Sequence, residues 1–171
     1  MSYDTPDYKI IEKDGQFEIR LYEAYIIAEV ALEKNEKISS MGFRRIFNYI
    51  SGYNSKKESI AMTVPVFNWE KGEKYYTAFV MPSKYDEKSL PLPDDPEIKI
   101  EKVASKKMAA YRFKGTVSQE NVSKHENILS QWLKEKGYSM LSAAWLARYN
   151  SPFSIPVLRR NEILFEISKK I

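Results

Sequence analysis

Phe17-Glu18-Ile19-Arg20-Leu21-Tyr22 alternates apolar and charged residues, the pattern of a strand with one face in the core and one in water. Asp14-Gly15 just before it is a hairpin-turn signal. Tyr8-Lys9-Ile10-Ile11-Glu12 is then the partner strand. Tyr25-Ile26-Ile27-Ala28-Glu29-Val30, rich in β-branched residues, reads as a third. The same sentence of elements recurs later in the chain. Glu97-Ile98-Lys99-Ile100 echoes Glu18-Ile19-Arg20-Leu21, and Met108 to Phe113 echoes Ile26 to Val30.

Each of these openings is followed by a helix. Met41, Phe43, Ile46, Phe47 and Ile50 recur at three- and four-residue spacing and predict one apolar face, with Gly52 as a stop. In the second half Ser118 to Lys136 reads as a helix with Val122, Leu129, Trp132 and Leu133 on its apolar side. Ser118 is placed to cap it and Gly137 to end it. One constant offset takes Ile46 to Leu129, Ile50 to Leu133 and Ala61 to Ala144.

Strands close each unit. Ile60, Met62, Val64 and Val66 alternate as in a strand, with Pro65 suited to an edge or bulge. The chain turns at Glu70-Lys71-Gly72-Glu73 and returns over Tyr75 to Met81. Trp145, Ala147 and Tyr149 begin the matching pair, a Pro-containing loop runs from Ser151 to Pro156, and Ile163 to Ile167 is the last strand. Residues 83–96, with Pro91, Pro93 and Pro96, predict an irregular linker. The expectation is one α+β domain over residues 1–171, with repeat halves of about 8–82 and 97–168. A sheet with one apolar face needs a helix to cover it. Two such units sharing edges would form a distorted antiparallel β-barrel of about eight strands flanked by two helices, an internal pseudo-twofold repeat.

Composition narrows the function. The 171 residues are 43% hydrophobic, enough for a core. There is no cysteine, so disulfides, thiolate metal sites and cysteine nucleophiles are excluded. Lysines and arginines outnumber acidic residues 27 to 23, but the signs are interspersed and the basic runs are mere pairs, so no nucleic-acid stripe emerges. The polar N-terminus lacks the features of a signal peptide, and no apolar run is long enough to span a bilayer. A cytoplasmic monomer without a membrane partner is expected. No phosphate loop, nucleophile elbow or H-E-x-x-H motif is present, so no catalytic residue and no metal site is assigned.

Three segments carry a family resemblance. Ile60-Ala61-Met62-Thr63-Val64-Pro65-Val66 resembles the MT-x-PV segment of the SOUL haem-binding family. Ala147-Arg148-Tyr149-Asn150-Ser151-Pro152-Phe153 resembles its ARY-x-x-P-aromatic segment, and Arg159-Arg160-Asn161-Glu162 its RRNE segment. The resemblance runs from about Tyr8 to Ile167. It implies the same barrel with two helices, and binding of haem or another tetrapyrrole without catalysis. The architecture is also similar to gyrase-inhibitor-like domains, which implies the alternative of a small-molecule sensor or hydrolase. An inward Glu ringed by Tyr or Trp would be its mark.

Haem needs apolar walls, cations for its propionates and often an axial ligand. Met41, Phe43 and Phe47 are the candidate walls, together with Met62. Arg44, Arg45, Lys56 and Lys57 are the candidate propionate partners, since guanidinium and ammonium groups pair with carboxylates. No histidine stands in the first half. The one histidine, His125, falls beside the apolar stripe of the second helix and reads as a packing residue. Binding is therefore expected to rest mainly on hydrophobic contact. Arg159 to Glu162 reads either as an anion clamp or as a tie for the loop before it.

Overall fold

A computed structural model describes residues 3–34, 38–150 and 158–170. It is an α+β structure with ten strands and two helices among the described residues. They are β1 (Tyr8–Asp14), β2 (Phe17–Tyr22), β3 (Tyr25–Glu33), α1 (Ile38–Ile50), β4 (Val66–Lys71) and β5 (Lys74–Val80), then β6 (Lys99–Val103), β7 (Lys106–Lys114), α2 (Gln119–Lys136), β8 (Tyr138–Met140), β9 (Trp145–Arg148) and β10 (Arg160–Lys169). Every paired strand of the named elements runs antiparallel. The 151–157 stretch, which holds the predicted Pro loop and the end of the ARY segment, lies outside the described residues.

The chain forms two compact units. The first holds residues 1–6 and 24–104, the second 7–23 and 105–171. The opening hairpin β1–β2 thus belongs with the C-terminal elements, because β2 pairs with β7. Reciprocally, β6 pairs with β3 in the first unit. The registers agree. The offset that takes Ile46 to Leu129 turns the pair Arg20↔Met108 into Val103↔Tyr25, and Glu18↔Ala110 into Glu101↔Ile27, with the two strands exchanging roles.

In the first unit α1 covers β3 and β5. Ile46, Tyr49 and Ile50 are buried there with Ala28, Val30, Phe79 and Met81. Residues 83–96 have no regular structure but are firmly held. Tyr49 donates its hydroxyl to the Pro91 carbonyl at 2.8 Å, Leu90 is buried, and Ser55 and Leu92 exchange hydrogen bonds of 2.8 and 2.9 Å.

In the second unit α2 buries Leu129, Trp132 and Leu133 against Ile19, Ala109, Ile163 and Phe165. Burial of each large aliphatic side chain contributes about 1.5–3 kcal/mol. The ends of α2 follow the sequence. Ser118 Oγ accepts the Asn121 N–H, and Gly137, at φ 79°, sends its N–H back to the Leu133 and Lys134 carbonyls. Ser118→Ala is expected to cost about 1 kcal/mol in a urea titration, since it strips one helix-end N–H of its acceptor.

Two local readings change. Residues 60–65 are not a strand, and regular pairing begins only at Val66. The backbone groups of this segment go elsewhere. The Val64 N–H bonds the Asp4 carbonyl, Thr63 donates its hydroxyl to the Val80 carbonyl at 2.6 Å, and Pro65 has no N–H to offer. Second, β2 is not half-solvated. Glu18 and Arg20 are as buried as Ile19, and it is Leu21 that faces outward. The charged face of this strand looks into protein, for a reason that the site geometry makes clear.

Candidate functional site

The helix α1 carries the first candidate surface. Its positions advance by about 100° per residue, so residues two apart lie nearly opposite each other. The predicted single apolar face is in fact split. Ile46 and Ile50 point into the core, while Met41 and Phe47 are 48% and 45% exposed. Phe43 lies half-buried between the two, stacked on Phe47 at 5.9 Å and 12°, and tilted against Phe79 at 5.0 Å. Arg44 is exposed between Met41 and Phe47 and makes no ion pair among the described residues.

The other expected binding residues lie elsewhere. Arg45 is turned to the opposite side of α1 from Phe43 and Phe47. Its guanidinium grips Asp95 through two bonds of 2.6 and 2.7 Å, and this pairing holds the Asp95 carboxyl below its usual range. Lys56 donates its ammonium to the Ser89 carbonyl at 2.9 Å. Met62 is half-buried against the core of the first unit. On α1 the structure therefore stacks Phe43 on Phe47, with Arg44 and then Met41 following round the exposed side of the helix, while Arg45 and Lys56 bond Asp95 and Ser89 and Met62 packs on the core.

The α1 surface offers an exposed thioether, two stacked aromatic rings and an uncommitted guanidinium, which match an iron ligand, the macrocycle face and a propionate. Met41 is the one methionine among the strongly exposed hydrophobic residues described. His125 has a different job. Its Nδ1–H bonds the Asn121 carbonyl at 2.7 Å, and its ring lies flat on Phe113 at 4.1 Å and 12°. No group of three or more possible metal-binding side chains occurs among the described residues.

A second cluster, in the second unit, was not found by sequence reading. Arg20 is 1% exposed and Glu162 not exposed at all. Arg20 gives Glu162 two near-parallel bonds, Nη1 to Oε1 at 2.9 Å and Nη2 to Oε2 at 2.6 Å. Its Nε bonds Glu18 at 2.7 Å and its Nη1 also reaches the Tyr22 hydroxyl at 2.9 Å. Tyr8 covers the guanidinium at 4.4 Å. Arg160 approaches Glu162 at 3.2 Å and stacks on Tyr149 at 4.0 Å.

Burial alone would raise the Glu162 carboxyl. The Arg20 bonds and charge, joined by Arg160 and the Tyr149 hydroxyl, overcome it and hold the group down to about 2. Burial and the Glu162 charge push the Tyr149 phenol well above its ordinary value. The RRNE segment is accordingly structural where it is described. Its Arg160 does clamp an anion, but the anion is Glu162, and Asn161 ties the Gly115 carbonyl at 3.0 Å. The signal available in sequence was the pair of opposite charges in Phe17–Tyr22. That signal is shared by every exposed strand face.

Comparison with known proteins places these features in context. The family model described as "SOUL heme-binding protein" matches residues 3–166. "Heme-binding protein 1" of Xenopus laevis is 29% identical over 164 residues, covering 90% of this chain and 85% of that protein. "Heme-binding protein 2" of Homo sapiens is 27% identical over 180 residues, covering 97% and 86%. In fold alone, the chain is similar to a crystal structure of the EcmrR C-terminal domain, with TM-score 0.70 and 11% identity over 90% of this chain and 98% of that one. No helix among the described residues is long and apolar enough to cross a membrane.

Proposed function

The chain belongs to the SOUL heme-binding protein family, and from that premise we propose that it binds haem or a related tetrapyrrole against the outward face of α1. The observation that carries this reading is the exposure of Met41 and Phe47 beside Phe43 and Arg44. A helix in a folded domain usually turns its large apolar residues inward, and a grouped exception marks a surface that something covers. Met41 and Phe47 would wall one side of the macrocycle, and Arg44 would pair with a propionate. Haem brings its own iron chemistry when bound. The residues around it orient and shield it, which suits a carrier or buffer acting as a monomer and not an enzyme.

Titration of the purified chain with haemin tests this through the Soret band. A saturable shift at micromolar concentration is expected. Met41→Glu and Phe47→Glu each put a carboxylate against the ring and should weaken binding at least tenfold, about 1.4 kcal/mol. Both positions are exposed, so the urea midpoint should hardly move. Arg45→Ala should leave affinity unchanged, because its guanidinium serves Asp95. A wild-type chain with no saturable shift ends the reading.

The alternative, a sensor or hydrolase like the gyrase-inhibitor-like domains, calls for an inward carboxylate free to meet a ligand. Glu162 points inward and has Tyr22 and Tyr149 near it, but Arg20 already holds both its oxygens. This favours the haem reading.

A further inference from the structure

The surroundings of Arg20 have the composition of a receptor for an organic cation. A planar guanidinium finds a carboxylate for two parallel bonds, Glu162, and a second carboxylate, Glu18, at its Nε. A phenol oxygen from Tyr22 and the aromatic face of Tyr8 complete the cage. These are the elements that recognise guanidinium groups between proteins and ligands: fork-to-fork pairing, charge-assisted bonds and a cation over a ring. The remaining cations stand at the edge. Lys13 is 3.6 Å from Glu18 and Arg112 is 3.8 Å from Glu162, with side chains 61% and 41% exposed, while Arg160 reaches Glu162 from a partly exposed position at 3.2 Å. Of these four cations, Arg20 is the one with a buried side chain, 1% exposed.

We propose that this cage is a guanidinium-binding site whose occupant is supplied by the chain itself, and that removing Arg20 leaves a site selective for small alkylguanidinium cations. Two consequences follow for ligand choice. While Arg20 is seated, the two carboxylates are closed to cationic ligands, so Arg20 is a specificity-determining residue that turns the second unit away from organic cations. Selectivity in the opened site comes from shape. Beyond Cβ, the arginine side chain is an ethylguanidinium ion. A quaternary ammonium ion of similar charge has no N–H and cannot form the parallel pair to Glu162.

The test uses the full chain carrying Arg20→Ala, with thermal unfolding and calorimetric titration as readouts. Low-millimolar ethylguanidinium chloride should raise the unfolding midpoint of the variant saturably and leave wild type unmoved. Sodium chloride and tetramethylammonium chloride at equal concentration should not reproduce it. Adding Glu162→Gln to Arg20→Ala should weaken the response at least tenfold. If Arg20→Ala does not fold unaided, its refolding yield in ethylguanidinium against sodium chloride becomes the readout, and recovery is expected only in the former. The proposal is overturned by an absent response, by an equal response to tetramethylammonium, by an equal shift in wild type, or by persistence in the double variant.

Discussion

Arg20→Ala is expected to lower the stability of the chain by about 3–5 kcal/mol, read as a fall in the urea midpoint at neutral pH. The figure follows from what the substitution leaves behind. Glu162 is fully buried and Glu18 nearly so, and both lose their closest and one buried cation at once, keeping the more exposed Arg160 and Arg112 at Glu162 and Lys13 at Glu18. Taking ions out of water costs several kcal/mol each, and here the guanidinium is what offsets it. The intact pair is not thereby a large net stabiliser. Arg20→Met combined with Glu162→Met removes charge from both sides and should recover a good part of the loss, giving a coupling energy of ~1–3 kcal/mol in a double-mutant cycle. A cycle without coupling would show that the two side chains act independently, against the geometry.

The same network sets an acid dependence whose sign is fixed. The Glu162 carboxyl is held down to about 2 in the folded chain, below its ordinary value of 4.5. A depressed carboxylate stabilises the fold fully above its unfolded value and loses that contribution as pH falls through its folded value. Wild type should thus lose ~3 kcal/mol between pH 4.5 and 2 from this group. Glu162→Gln is less stable at pH 7 and should show a correspondingly shallower fall over that window.

This network explains why the stretch that announced the fold concealed its most heavily bonded residues. Strand periodicity places Glu18 and Arg20 on one face and Ile19 on the other, and that much is correct. Periodicity does not say which faces are wet. The partner that makes the charged face dry is Glu162, 142 positions away in sequence. On α1 the limitation is angular. Five apolar residues spread over more than half the circumference, and only contact with β3 and β5 decides that Ile46 and Ile50 go in and Met41 and Phe47 stay out. Residues 60–65 alternate like a strand, but their hydrogen bonds are spent on Asp4 and Val80. The offset between the helices was legible because both ends of it are core positions. It proves to relate the β2–β7 and β3–β6 registers as well.

Gly42→Leu is expected to destabilise the chain by ~3 kcal/mol and to weaken haemin binding with it. In an open helix the loss of a glycine would help, since glycine is about 1 kcal/mol poorer than alanine in a helix interior. Here a Cβ on residue 42 would stand 2.5 Å from Thr77 Oγ1 and 3.0 Å from Thr77 Cβ. Thr77 is 1% exposed on β5, and its hydroxyl accepts the Asn68 amide at 2.9 Å. A β-branched side chain fixed at both ends has no easy rotamer to retreat to. The helix must move instead, carrying Met41 and Phe47 from their places, because close-packed interiors transmit strain. Thr77→Ala added to Gly42→Ala should relieve the clash and restore the helix gain, so that the double variant is more stable than the two single effects add up to. Ser118→Ala on α2 serves as the control, with a smaller loss of helix support, about 1 kcal/mol, and no change in haemin affinity. If Gly42→Leu keeps wild-type stability, α1 is not seated on Thr77 as described; if it loses stability and still binds haemin normally, α1 is not the binding surface.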